Sequence, residues 1–204
     1  MILILAILAI IIGYFIGSVS PAYFLGRLIK GKGFDIRKHG SKNAGAMNAF
    51  YVLGKRAGVI TLIFDFAKGA LAMLIAYFMI FGFKFSYLNF NNISLIVMCL
   101  SGFAAMLGHD FPFYLKFKGG KGGAAAGGII ITLLALLWNQ EISLGISWLT
   151  WMPFLILIFL GLSVIVITKS GNLAGFIFYP LGIIWILISK FSLFSIAISF
   201  FLFY

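Results

Sequence analysis

Apolar stretches of about eighteen residues or more recur along almost the whole chain, and stretches of that length read as membrane-spanning helices. Of 204 residues, 63% are hydrophobic and only 9% charged, which leaves a soluble fold too little polar surface to cover its core. Secreted disulfide-built folds and soluble nucleic-acid-binding folds are excluded on that ground. Cys99 lies inside an apolar run and is the single cysteine, so no internal disulfide forms. The expected fold is all-α: a polytopic membrane helix bundle of about seven spans, in one integral membrane domain over 1–204. The spans read as 1–25, 57–83, 93–108, 123–138, 147–167, 173–189 and 191–204. The first lacks a basic leader region and a small-residue cleavage site, so it is expected to be a span and not a removed signal. Spans 93–108 and 123–138 are short for a hydrocarbon core of ~30 Å, and the last runs to Tyr204 without a basic stop. Five or six full spans plus re-entrant or interfacial pieces therefore stay open as a reading.

The net charge of +11 is distributed by side and not by patch. With alternating spans, one side receives Arg27, Lys30, Lys32, Arg37, Lys38, Lys42, Lys55, Arg56, Lys116, Lys118, Lys121 and Lys169. The other side receives Lys84, Lys190 and Glu141. That asymmetry places the long polar loops in the cytoplasm and the N-terminus outside, and it explains the basic excess with no nucleic-acid partner. Gly13-x-x-x-Gly17 and Gly123-x-x-x-Gly127 offer small faces for close helix packing. Asp65 and Lys68, three apart on one helical face, are expected to neutralise each other in low dielectric, as a structural pair or as a brace for a site.

Chemistry has to lie in the two long cytoplasmic loops, because polar residues collect there. The first runs from Asp35 through Arg37, Lys38, His39, Gly40, Ser41, Lys42, Asn43, Ala44, Gly45 and Ala46 to Asn48. Small residues let the backbone turn tightly and aim N–H groups at one point, while Ser41, Asn43 and Asn48 add donors and Arg37, Lys38 and Lys42 add charge. Donors and cations around a tight turn suit a phosphate or another oxyanion. A solvated basic loop that sets topology and touches anionic lipid is the plainer alternative. The second loop carries Lys118-Gly119-Gly120-Lys121-Gly122-Gly123 ahead of a helix, a composition that exposes backbone donors beside a point charge. It is not a Walker A loop, whose spacing and preceding strand are absent. His109 beside Asp110 reads as an acid/base pair or as a capping residue at a span end. Phe111, Phe113, Tyr114 and Phe117 read as headgroup-level anchors. Two histidines and four acids leave little material for a metal site, and none is expected.

These residues resemble the first two motifs of the bacterial membrane glycerol-3-phosphate acyltransferases that use acyl phosphate as donor. The family's first motif, Asp-Ile/Leu-Arg, then Gly-Ser-x-Asn-x-Gly-Ala-Thr-Asn, then Leu-Gly-Lys, is similar to Asp35–Arg37, Gly40–Asn48 and Leu53–Lys55. Asp65-Phe66-Ala67-Lys68-Gly69 is similar to its Asp-Phe-x-Lys-Gly. Its second motif resembles Gly108–Pro112 followed by Phe117–Gly122, and Gly17-Ser18 with Pro21 agrees as well. The resemblance spans roughly residues 13–128, and its motifs are specific when taken jointly. It implies transfer of an acyl group from long-chain acyl phosphate to the sn-1 hydroxyl of glycerol 3-phosphate, forming lysophosphatidic acid and phosphate for phospholipid biosynthesis. It also implies a multi-pass protein of the cell (inner) membrane, in contact with membrane lipid and needing no cofactor. By motif position, Ser41, Asn43 and Lys121 would be catalytic at the phosphates. Gly45, Asn48, Gly119, Gly120, Lys118, Arg37 and Asn172 would bind substrate phosphate, with His109 as acid/base or structural.

The sequence departs from the family pattern in four places. Met47 stands for the usual Thr, Tyr51 for an Arg, and Asn172 for the first serine of a third Ser-Leu-x-Ser motif. The His-Arg-x-Asn-Ile stretch that follows the family's last span has no counterpart before Tyr204. Each lost contact to a substrate phosphate is worth on the order of 1.5–3 kcal/mol. Two readings therefore stand beside the active enzyme. One is a catalytically impaired paralogue that binds lipid or glycerol phosphate, as a homodimer or paired with a complete copy. The other is a small membrane transporter, weakened because no polar stripe crosses the spans.

Overall fold

The structure is a computed structural model that describes residues 2–82 and 92–144. The chain divides into two compact units, Met1–Leu136 and Leu137–Tyr204, and both long loops belong to the first. Among the described residues the regular elements are helical: α1 (Ile2–Ser18), α2 (Pro21–Lys30), α3 (Ala46–Leu53), α4 (Lys55–Phe81), α5 (Asn92–Asp110) and α6 (Gly123–Leu144), with short 3₁₀ turns at Ile36–Lys38 and Phe113–Leu115. Three stretches there are long and apolar enough to cross a membrane: Ile2–Lys30, Lys55–Ile80 and Leu95–Leu115. The expected spans at 147–167, 173–189 and 191–204, together with Asn172, lie outside the described residues.

The expected first span, 1–25, lies within the apolar stretch Ile2–Lys30 and contains a break. Helix α1 stops at Ser18, and Pro21 opens α2 at a position where a missing N–H costs nothing. Tyr114 closes the gap, its hydroxyl donating to the Ser18 carbonyl at 2.9 Å and accepting from the Ser20 N–H at 3.0 Å. Helix α2 then carries Arg27 and Lys30 in its last turn, where cations favour the carbonyl end of the helix dipole. The span expected at 93–108 is also longer than read. Helix α5 runs from Asn92 to Asp110, 19 residues, or about 28 Å at 1.5 Å per residue.

Close helix contact is carried by small residues. A side chain on Gly17 would run into the backbone of Ala105, and one on Gly13 into Ser101, so α1 lies directly on α5. Ser101 Oγ sits 3.0 Å from the carbonyls of both Ala9 and Ala72, which fastens α5 to α1 and α4. The contact between α4 and α6 is made by Gly69 against the Ala125 carbonyl and Gly128 against the Phe66 carbonyl. On α6, therefore, the small face is Ala125 and Gly128 more than the expected Gly123 and Gly127. Gly123 faces open space, and Gly127 makes ordinary contact with the Phe66 ring. Ile4, Ile7, Ile11 and Phe15 point outward from α1, as lipid-facing side chains do.

Candidate functional site

The first loop is folded around one amide. Asn48, in the first turn of α3, is 1% exposed. Its two Nδ2 hydrogens are shared among the carbonyls of Ile36 (3.2 Å), His39 (3.1 Å) and Asn43 (2.7 Å), and its Oδ1 accepts the Ser41 N–H at 2.9 Å. Asn48 thus holds the loop's backbone in place from inside. Asn43 Oδ1 accepts the Gly45 N–H at 3.0 Å, a local turn that leads into α3. Buried Ile36, Ala44 and Ala49 hang the loop on Ala22 of α2, with Phe34, Val52 and Leu53 packed around them. Ser41 and Lys42 remain exposed, and Lys42 has φ 60°, a left-handed conformation that few non-glycine residues adopt.

The second loop doubles back onto the end of α5. Gly119 N–H donates to the Asp110 carbonyl at 2.8 Å, and Gly120 N–H to the His109 carbonyl at 3.0 Å. Lys118 and Lys121 are exposed. Gly122, at φ 69°, turns the chain into α6, whose first N–H groups have no partner within the helix. The cationic side chains and the start of α6 thus lie together, an arrangement that favours anions.

The two loops are joined to each other. Ala44 N–H donates to the Gly119 carbonyl at 3.0 Å, which sets Asn43 and Gly45 beside Gly119 and Gly120. Arg37 makes the second link. Its Nε and Nη2 grip Asp35 at 2.9 and 2.7 Å, while Nη1 donates to the carbonyls of Leu115 and Lys118. The guanidinium also lies over the Tyr23 ring, 5.6 Å from its centroid. Arg37 is placed as a clasp between the loops. Its hydrogen bonds hold the Asp35 carboxyl below the usual carboxylate range, and the same pairing raises Arg37 further.

Beneath the second loop lies a buried polar group that sequence spacing did not connect. Lys68 Nζ is 2.8 Å from Asp65 Oδ1, 3.0 Å from the Val19 carbonyl and 2.6 Å from His109 Nδ1. His109 is 5% exposed, and its Nε2 edge lies where a side chain on Gly120 would be. The expected Asp65/Lys68 pair is present, and His109 belongs with it and not with Asp110 alone. The missing signal was spatial: His109 stands 41 positions from Lys68 on a different helix. Among the described residues, no group of three or more His, Cys, Asp or Glu side chains is placed to hold a metal ion.

The family model described as glycerol-3-phosphate acyltransferase matches residues 7–204. The chain belongs to the glycerol-3-phosphate acyltransferase family. Among its relatives, glycerol-3-phosphate acyltransferase 2 of Dehalococcoides mccartyi is 39% identical over 174 residues, 78% of this chain and 75% of that protein. The glycerol-3-phosphate acyltransferase of Mycoplasma pneumoniae is 38% identical, over 88% of this chain and 69% of its own length. The crystal structure of PlsY (YgiH), an integral membrane glycerol 3-phosphate acyltransferase, in its glycerol 3-phosphate form, is similar with a TM-score of 0.63 and 28% identity. That likeness covers 98% of this chain and 86% of the other. Within the family, then, this member carries both joined loops on a helical membrane scaffold.

Proposed function

We propose that the chain transfers an acyl group from a long-chain acyl phosphate to the sn-1 hydroxyl of glycerol 3-phosphate at the cytoplasmic face of the cell (inner) membrane. The hydroxyl oxygen attacks the acyl carbonyl carbon, the bond from that carbon to the phosphate oxygen breaks, and inorganic phosphate leaves. The hydroxyl proton passes to a substrate phosphate oxygen, so no side-chain base is required. Because an acyl phosphate is already activated, the protein's task is to position two phosphates and to stabilise developing charge. Ser41, Asn43 and Lys121 act at those phosphates, Lys118 adds charge, and Gly45, Gly119 and Gly120 let backbone approach closely. The topology that goes with this reading is about seven spans with the N-terminus outside.

The observation that carries this reading is the hydrogen bond between Ala44 and Gly119. It brings the donor-rich first loop and the lysine-glycine second loop into one cluster. Relatives named as glycerol-3-phosphate acyltransferases support turnover over a role limited to binding. The test is formation of lysophosphatidic acid by purified protein in bilayer discs, with palmitoyl phosphate, palmitoyl-CoA or palmitoyl-carrier protein offered separately. Product from palmitoyl phosphate alone is expected. Product from either thioester at a comparable rate would overturn the donor assignment.

A further inference from the structure

The buried group under the second loop fixes the state of His109. A protonated lysine has three N–H donors and no acceptor. Asp65 Oδ1, the Val19 carbonyl and His109 Nδ1 all lie at bonding distance from Lys68 Nζ. Each must therefore accept. For His109 this means that Nδ1 carries the lone pair and the ring proton resides on Nε2. The opposite tautomer would aim an N–H at an ammonium 2.6 Å away. Asp65 Oδ1 lies 3.3 Å from the same Nδ1 and pairs with the lysine, and the buried Asp110 carboxylate adds negative charge that favours the ammonium. Asp65 and Lys68 are 1% and 6% exposed, so water does not compete for these bonds.

The Nε2 edge lies against Gly120, whose own N–H is tied to the His109 carbonyl. We propose that Asp65 and Lys68 are positioning residues that lock His109 as the Nε2–H tautomer, and that this N–H serves the second loop as a further donor toward a substrate phosphate. The tautomer part stands on geometry alone; the phosphate part rests on the acyl-transfer reading. The arrangement also accounts for a glycine at 120, since any side chain there would displace the imidazole. Val19 enters the same unit, so the break between α1 and α2 helps to set the ring.

Two histidines occur in the chain, which makes a spectroscopic test direct. Full-length protein with ¹⁵N-labelled histidine is compared with His39→Gln, which assigns the His109 signals. A neutral ring protonated at Nε2 is expected. The double variant Asp65→Asn/Lys68→Met removes both charges of the pair together and is expected to populate both tautomers. An imidazolium, or an Nδ1–H tautomer, in the unaltered protein would overturn the proposal whether or not the protein turns over. The kinetic arm compares His109→Gln, which retains an N–H near the Nε2 position, with His109→Asn, which does not. His109→Asn is expected to lose about tenfold or more in kcat/KM for glycerol 3-phosphate, with His109→Gln recovering most of it. Equal losses in the two variants would reduce His109 to a packing residue.

Discussion

Arg37 makes the sharpest prediction, because the structure gives its guanidinium a task that no other side chain can take. Nε and Nη2 form a two-pronged grip on Asp35, and Nη1 reaches the carbonyls of Leu115 and Lys118 on the second loop. Truncation by Arg37→Ala leaves those two carbonyls without the donor. At ~1.5 kcal/mol each, the low end for hydrogen bonds to a charged group, docking of the loops weakens by about 3 kcal/mol. That corresponds to on the order of a hundredfold in the ratio of docked to undocked loops. The reporter is the Ala44 amide, whose hydrogen bond to Gly119 crosses between the loops. Hydrogen exchange followed by mass spectrometry should show that amide exchanging roughly a hundredfold faster in the variant. Amides in the middle of α5 should be unchanged. Arg37→Lys should give an intermediate value, because a point charge cannot span Asp35 and both carbonyls at once. Unchanged protection at Ala44 in Arg37→Ala would refute the clasp and return Arg37 to the list of direct phosphate ligands.

Three further outcomes follow from the geometry. Gly17→Val should lower the thermal unfolding midpoint sharply, at or beyond the ~3 kcal/mol upper end of ordinary overpacking costs, because the obstacle is the Ala105 backbone. An unchanged midpoint would mean that α1 and α5 do not pack this closely. Gly120→Ala should lower lysophosphatidic acid formation about tenfold or more while the protein stays monodisperse in detergent, since its methyl group collides with the His109 ring. Asp35 has its pKa lowered in the folded state, so its contribution is fully present above the ordinary carboxyl value of 3.8 and is lost as pH falls through the still lower folded value. The stability difference between the unaltered protein and Asp35→Asn should therefore be flat from about pH 8 to 5 and close only in stronger acid. A difference that closes near neutrality would contradict the assigned direction.

Much of this was legible in the sequence, for reasons that also mark where legibility stops. Apolar runs of about span length admit one answer, so the helical stretches that hold α1, α4 and α5 follow from composition. The break at Ser18–Pro21 was not read, although Pro21 and the basic Arg27 and Lys30 signal a new helix, because hydropathy alone runs through it. Both loops were recognisable from small residues, amides and lysines. What the side chains do inside them was harder to read. Asn48 and Arg37 have the chemistry of phosphate ligands, and the same donors serve equally well to tie carbonyls of their own loops. Choosing between those uses requires knowing that Leu115 and Lys118 lie beside Arg37, 78 and 81 positions away. The link from Lys68 to His109 was hidden for the same reason: helical spacing reveals neighbours on one helix, not across two.

The central claim is that the joined loops form a single site for acyl transfer, and a double-mutant cycle on Ser41→Ala and Lys121→Ala tests it most directly. The readout is kcat/KM for lysophosphatidic acid formation from palmitoyl phosphate and glycerol 3-phosphate in bilayer discs. If both side chains act on the same phosphates, each substitution should cost about tenfold or more, and the double variant should lose clearly less than the product of the two. Losses that simply multiply, or single variants as active as the unaltered protein, would contradict one shared site.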